Sequence, residues 1–114
     1  MSEERQLKVM RILDNNPETT QRELAAELGI SLGAVNFCLK ALVNKGWIKI
    51  ANFLKNPSKR SYFYLLTPAG TAAKTKLTLH FLERKLIEYN ELKEEIGALE
   101  AEISRAEGSV ETQI

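Results

Sequence analysis

Gly29 and Ser31 stand two residues apart, and between them one helix must end and another begin. The stretch 19–40 reads "TTQRELAAELGISLGAVNFCLK". Thr20 and Glu23 have capping-box spacing, which predicts a helix start, and Leu24, Ala25 and Leu28 supply its inner face. Gly29 takes the C-cap place, where a left-handed backbone favours glycine. Ser31 is an N-cap type, and the next helix is expected to run to about Lys45, where Gly46 stops it. Two short helices separated by so short a turn form a helix-turn-helix.

The flanking segments complete a recognisable order. Residues 3–15, "EERQLKVMRILDN", place Leu7, Met10, Ile12 and Leu13 on a helical stripe with acids in the first turn, and "NNP" then ends it. After Gly46 the pattern changes to "WIKIANFL" and "SYFYLL", rich in β-branched and aromatic residues, around the polar turn "KNPSKR". Three helices followed by a basic hairpin predict a winged helix-turn-helix, mainly α with a small β-hairpin.

"LTPAG" opens the last element. Thr67 is an N-cap candidate and Pro68 occupies the first helical position, where a missing N–H costs nothing. No later proline interrupts the pattern, so a helix is expected to about Glu107. Roughly 40 residues would span about 60 Å, more than a small domain can cover. Its apolar positions are Leu79, Leu82, Leu86, Tyr89, Leu92, Ile96, Leu99 and Ile103, whose spacing averages near 3.5 with one stammer near Tyr89. Gly97 weakens the run by about 1 kcal/mol relative to alanine. The expected division is a DNA-binding domain over 1–67, a dimerisation helix over 68–107 and a frayed tail over 108–114.

Charge is distributed unevenly. The net charge is +1, yet no Asp or Glu occurs between Glu27 and Glu83. That stretch holds Lys40, Lys45, Lys49, Lys55, Lys59, Arg60, Lys74 and Lys76, whereas the C-terminal part is rich in glutamate. A basic middle and an acidic end imply different partners. With no N-terminal apolar core and no apolar run near 18 residues, secretion and membrane spanning are not expected. One cysteine cannot form an internal disulfide, which fits a cytoplasmic location.

The helix beginning after Ser31 divides into two faces. At 100° per residue, Leu32, Cys38, Leu39 and Leu42 fall within about 60° of Val35 and are expected to be buried. Gly33, Asn36, Phe37, Lys40 and Asn44 fall on the other side. A recognition helix enters the major groove with its N-terminal residues near base edges. Asparagine can pair with adenine, an aromatic edge can meet a thymine methyl, and Lys40 can reach a phosphate or guanine. Ser31 and neighbouring N–H groups suit a phosphate. The alternative for Phe37 is packing on the preceding helix, and for Asn36 simple solvation. At the hairpin tip, Lys55, Lys59 and Arg60 suit phosphates and a narrow minor groove. The candidate DNA-contacting set is Thr20, Ser31, Gly33, Asn36, Phe37, Lys40, Lys55, Lys59 and Arg60.

Other chemistry-bearing residues have plainer readings. Cys38 is expected to be a small buried hydrophobe, His80 structural, and Trp47 a core anchor for the wing. There is no phosphate loop, Cys/His metal cluster, cofactor motif or nucleophile motif, so an enzyme is not expected.

"TQRELAAELGISLGAVNFCLKALVNKGWIKI", the basic hairpin and "YLLTPAG" resemble the winged-helix domain of MarR-type bacterial regulators, in particular the exopolysaccharide (EPS)-associated MarR-family subgroup. "GISLGAVN" and "LTPAG" are the most specific parts of that resemblance. It implies a cytoplasmic, homodimeric transcriptional regulator linked to exopolysaccharide genes, with the Ser31 helix in the major groove and the hairpin tip at the minor groove. Larger MarR proteins build a dimerisation domain from N- and C-terminal helices, often with a phenolic-ligand pocket. One long C-terminal helix stands in that place here, so the resemblance does not by itself imply an effector pocket, and an effector-gated repressor is a further alternative.

The leading expectation is therefore a homodimer joined through Leu82, Leu86, Tyr89, Leu92, Ile96, Leu99 and Ile103, reading half-sites about one helical turn, roughly 34–36 Å, apart. A winged-helix adaptor, with the acidic helix recruiting another protein, is the alternative.

Overall fold

The computed structural model describes residues 2–56 and 59–112, with side chains at 52–62 and 109–112 outside that description. The order is α1 (Glu3–Asn15), α2 (Gln21–Leu28), α3 (Leu32–Asn44), β1 (Ile48–Asn56), β2 (Lys59–Leu66) and α4 (Pro68–Thr112). The chain divides into two compact units, Met1–Leu79 and His80–Ile114. Among the described residues, no single helix is long and apolar enough to cross a membrane.

The first unit is a winged helix-turn-helix. Its helix starts follow the expected chemistry. Ser2 Oγ accepts from Arg5 N, Thr20 and Glu23 form the reciprocal capping box, and Ser31 Oγ accepts from Ala34 N. Gly29 ends α2 in the left-handed region at φ 65°, and Gly46 follows α3 at φ 74°. At either position a side chain would be strained, so glycine makes both turns. The axes of α2 and α3 meet at 108°, inside the range of about 90–120° of helix-turn-helix pairs.

The core lies between the three helices and the base of the hairpin. It contains Leu7, Val9, Met10 and Leu13 of α1, Leu24 of α2, Val35, Cys38, Leu39 and Leu42 of α3, with Ile48, Tyr64 and Leu77. Two expectations change here. Val9 and Gln6 are buried, whereas Ile12 is only half-buried. Leu32, assigned to the inner face, is 45% exposed. Helical side chains lean toward the N-terminus, so a residue in the first turn projects past the end of the helix and away from the packed layer.

β1 and β2 pair antiparallel from Ile48↔Leu66 to Phe53↔Ser61, and again at Asn56↔Lys59 after a register shift. The hairpin is tied to the helices. Tyr64 N donates to Pro17 O at 3.2 Å, and Gln21 Nε2 donates to the Tyr64 hydroxyl at 3.2 Å. Trp47 is half-buried rather than a core residue, and Lys45 Nζ lies 4.6 Å from its ring centroid.

What anchors the wing is the Trp47 backbone. Thr67 N donates to Trp47 O at 3.0 Å, and Thr67 Oγ1 donates to Gly46 O. The same Oγ1 accepts from Gly70 N at 3.0 Å, capping α4. A Cβ built on Gly70 would lie 1.8 Å from Trp47 O, so only glycine allows this approach. Lys74 adds a 2.7 Å ion pair to Asp14 at the end of α1.

The second unit is the continuation of α4. The helix extends to Thr112, beyond the expected end at Glu107. No described residue from His80 onward is buried.

Candidate nucleic-acid interface

The outward face of α3 runs from its first turn to its last residue. Gly33, Phe37, Lys40 and Asn44 are exposed and Asn36 is half-buried, while Val35, Cys38, Leu39 and Leu42 turn inward. Phe37 is 67% exposed. The alternative that it packs on the preceding helix therefore fails, and a large apolar ring stands in solvent beside an amide and an ammonium group. Cys38 is buried, as expected.

Gly33 has an informative environment. A Cβ placed there would meet only Ser31 Oγ, at 4.0 Å. The domain itself therefore does not require glycine at this position, although glycine in a helix costs about 1 kcal/mol relative to alanine. The missing side chain leaves a shallow place at the start of α3 where an external group can approach the backbone. The positive end of the helix dipole and its N-terminal N–H groups lie there too, and both favour an anion.

Thr20 and Ser31 are exposed, but each hydroxyl oxygen already accepts a capping bond, from Glu23 N and Ala34 N respectively, both at 3.1 Å. Each hydroxyl retains a proton that can be donated outward. Arg22, in the first turn of α2, is an exposed cation that sequence reasoning passed over. The signal was its position two residues after the Thr20 N-cap.

Lys55, Lys59 and Arg60 belong to the hairpin strands, with Asn56 pairing to Lys59. Their side chains lie outside the described residues. Lys49, nearer the base of β1, is exposed, as is Ile50 at 53%.

A second surface runs along the helix of the second unit. Leu82, Leu86, Tyr89, Leu92, Ile96, Leu99 and Ile103 are each between 46% and 60% exposed. Exposed apolar stripes of this kind are the usual mark of a candidate interaction surface. Ile87, 58% exposed, adds to the apolar surface beyond the expected positions. No group of three or more His, Cys, Asp or Glu able to hold a metal occurs among the described residues.

A family model described as winged helix-turn-helix DNA-binding matches residues 2–49. Solved structures agree on the architecture. Staphylococcus aureus MarR, in complex with salicylate and kanamycin, superposes with TM-score 0.58 at 22% identity, covering 75% of this chain and 56% of that one. Lactococcus lactis ZitR, in complex with DNA, gives 0.59 at 25% identity, covering 81% and 60%. The zinc-dependent MarR-family transcriptional regulator AdcR, in its Zn(II)-bound state, gives 0.57 at 26% identity, covering 81% and 60%. The chain thus spans less than two thirds of the length of these structures. No curated protein sequence matches it. The fold is that of the winged helix-turn-helix regulators of the MarR type.

Proposed function

We propose that this chain is a sequence-specific DNA-binding transcription regulator that acts as a homodimer in the cytoplasm. The observation that carries the reading is the outward face of α3, where Gly33, Phe37 and Lys40 are exposed and Asn36 is half-buried, in a segment without a single acid. In this reading α3 enters the major groove. Asn36 and Phe37 meet base edges, and Lys40 and Arg22 hold phosphates. The N-terminus of α2, with Thr20, and that of α3, with Ser31, approach the sugar-phosphate backbone. Lys55, Lys59 and Arg60 make the second contact, at the minor groove. The complex of L. lactis ZitR with DNA supports this mode of use for the shared fold.

The finer assignments follow the subgroup resemblance, which links the regulated genes to exopolysaccharide production. The homodimer rests on the exposed stripe of the second unit. Two copies would read half-sites one helical turn or a multiple of it apart. We assign no small-molecule effector.

Binding to genomic fragments and to a selected duplex tests the reading. Lys59→Ala with Arg60→Ala is expected to weaken binding to every duplex and to reduce the slope of log K against log salt by about 2 per protomer. Asn36→Ala is expected to change sequence preference by about 1–3 kcal/mol at one base pair. Unchanged binding by both variants would remove the proposed DNA face. Wild-type protein that binds no duplex at low salt would turn the reading toward an adaptor.

A further inference from the structure

Any apolar stripe can pair with itself in parallel, so the stripe alone leaves the orientation of a dimer open. Two features of the second unit decide it. The first is the arrangement of the stripe. Reversal about the midpoint between Leu92 and Lys93 maps Leu82 onto Ile103, Leu86 onto Leu99 and Tyr89 onto Ile96. The stammer near Tyr89 changes the heptad phase at this midpoint. Before it, Leu82, Leu86 and Tyr89 occupy d, a and d positions; after it, Ile96, Leu99 and Ile103 occupy a, d and a. Each layer of an antiparallel pair then joins an a residue to a d residue, and Leu92 meets its own copy near the two-fold axis.

The second feature is charge. Residues 83–93 carry three acids and three bases, whereas residues 94–107 carry five acids and one base. In a parallel pair the acidic halves lie side by side, and the flanking positions bring Glu95 against Glu100 and Glu102 against Glu107 of the second copy. One favourable pair, Glu88 with Lys93, does not offset them. An antiparallel pair sets each acidic half against a balanced one. It brings Lys85 opposite Glu102 of the second copy, twice by symmetry. Within a single chain Lys85 Nζ is 3.0 Å from Glu88 Oε2, and both side chains are more than half exposed, so Lys85 is accessible to a second carboxylate. The one like-charge flank contact in this arrangement is Glu83 with Glu100.

We infer that the partner of this helix is a second copy running antiparallel, with Leu82 on Ile103, Leu86 on Leu99, Tyr89 on Ile96, and Lys85 paired to Glu102. This rests on the homodimer reading above.

Sedimentation equilibrium of the full chain at fixed ionic strength distinguishes the two. Glu102→Lys is expected to weaken the dimer about tenfold, because it opposes Lys85 twice. Adding Lys85→Glu is expected to restore the affinity to within about threefold of wild type. In a parallel dimer Glu102→Lys would instead relieve the contact with Glu107 and tighten association. Tightening, or no change, overturns the antiparallel assignment. A wild-type chain that stays monomeric at high concentration overturns the homodimer reading itself.

Disulfide trapping gives an independent readout, since Cys38 is buried and does not compete. Leu82→Cys with Ile103→Cys is expected to oxidise to a covalent dimer, and Ile103→Cys alone is not. Antiparallel pairing holds the two copies of residue 103 about 30 Å apart, far beyond disulfide reach. Efficient cross-linking of Ile103→Cys alone overturns the proposal.

Discussion

The two units use the same amino-acid types to opposite ends. In Met1–Leu79, the core leucine, valine and methionine side chains are covered by neighbouring elements, and Met10, Leu24 and Leu42 are 0% exposed. In His80–Ile114, no described residue is buried, although Leu82 to Ile103 form an apolar stripe. One unit buries a core of its own, while Leu32, Phe37 and Ile50 stay exposed at its surface. The other has only one helix, and a lone helix can bury nothing against itself. Its stripe is left uncovered within the single chain, whereas most helical stability in proteins comes from packing of an apolar face.

Gly70 and Gly97 express the same contrast within one helix, and substituting each tests it. Gly70→Ala is expected to have the largest effect. Its Cβ would fall 1.8 Å from the Trp47 carbonyl oxygen, so the backbone of α4 or of the wing must move. A loss of about 3 kcal/mol or more in denaturant unfolding of the first unit is expected. A variant as stable as wild type would mean that α4 is not seated on Trp47.

Leu92→Asp with Ile96→Asp comes next. Light scattering is expected to report a monomer, while the denaturant transition of the first unit is retained. A dimer that survives places the association surface elsewhere. A simultaneous loss of the first unit's fold would mean that the substitutions act beyond the stripe.

Gly97→Ala should have the smallest effect, and of opposite sign. Nothing lies within 4 Å of a Cβ at this position, and removing the glycine penalty is expected to stabilise the helix by about 1 kcal/mol. Thermal melting followed by circular dichroism is the measurement. A destabilised variant would show that position 97 is covered in the assembled protein, which would widen the interface beyond the stripe.

Much of the candidate DNA face is legible in the sequence. Helical periodicity separates Gly33, Asn36, Phe37 and Lys40 from Val35, Cys38 and Leu39 because successive residues differ by a known angle. The same arithmetic misplaces Leu32, since the angle ignores where along the axis the neighbouring elements stop. It also leaves Phe37 undecided, because a half-turn position is buried or exposed according to what stands beside it. Arg22 escapes notice for a related reason: a cation in a first turn carries no periodic signal.

Local interactions within a few residues were determined by sequence alone. These include the Thr20–Glu23 box, the Ser31 cap, the glycine turns at 29 and 46, the proline start of α4 and the period of its stripe. All arise from contacts between near neighbours in the chain. The tertiary structure decided what depends on distant segments meeting. It buries Gln6 and Thr19, joins Gln21 to Tyr64 across 43 positions, moves Trp47's role from its ring to its carbonyl, and makes Gly70 indispensable to the packing of α4. Sequence could show that "LTPAG" starts a helix; only the approach of Trp47 shows why its last residue has no side chain.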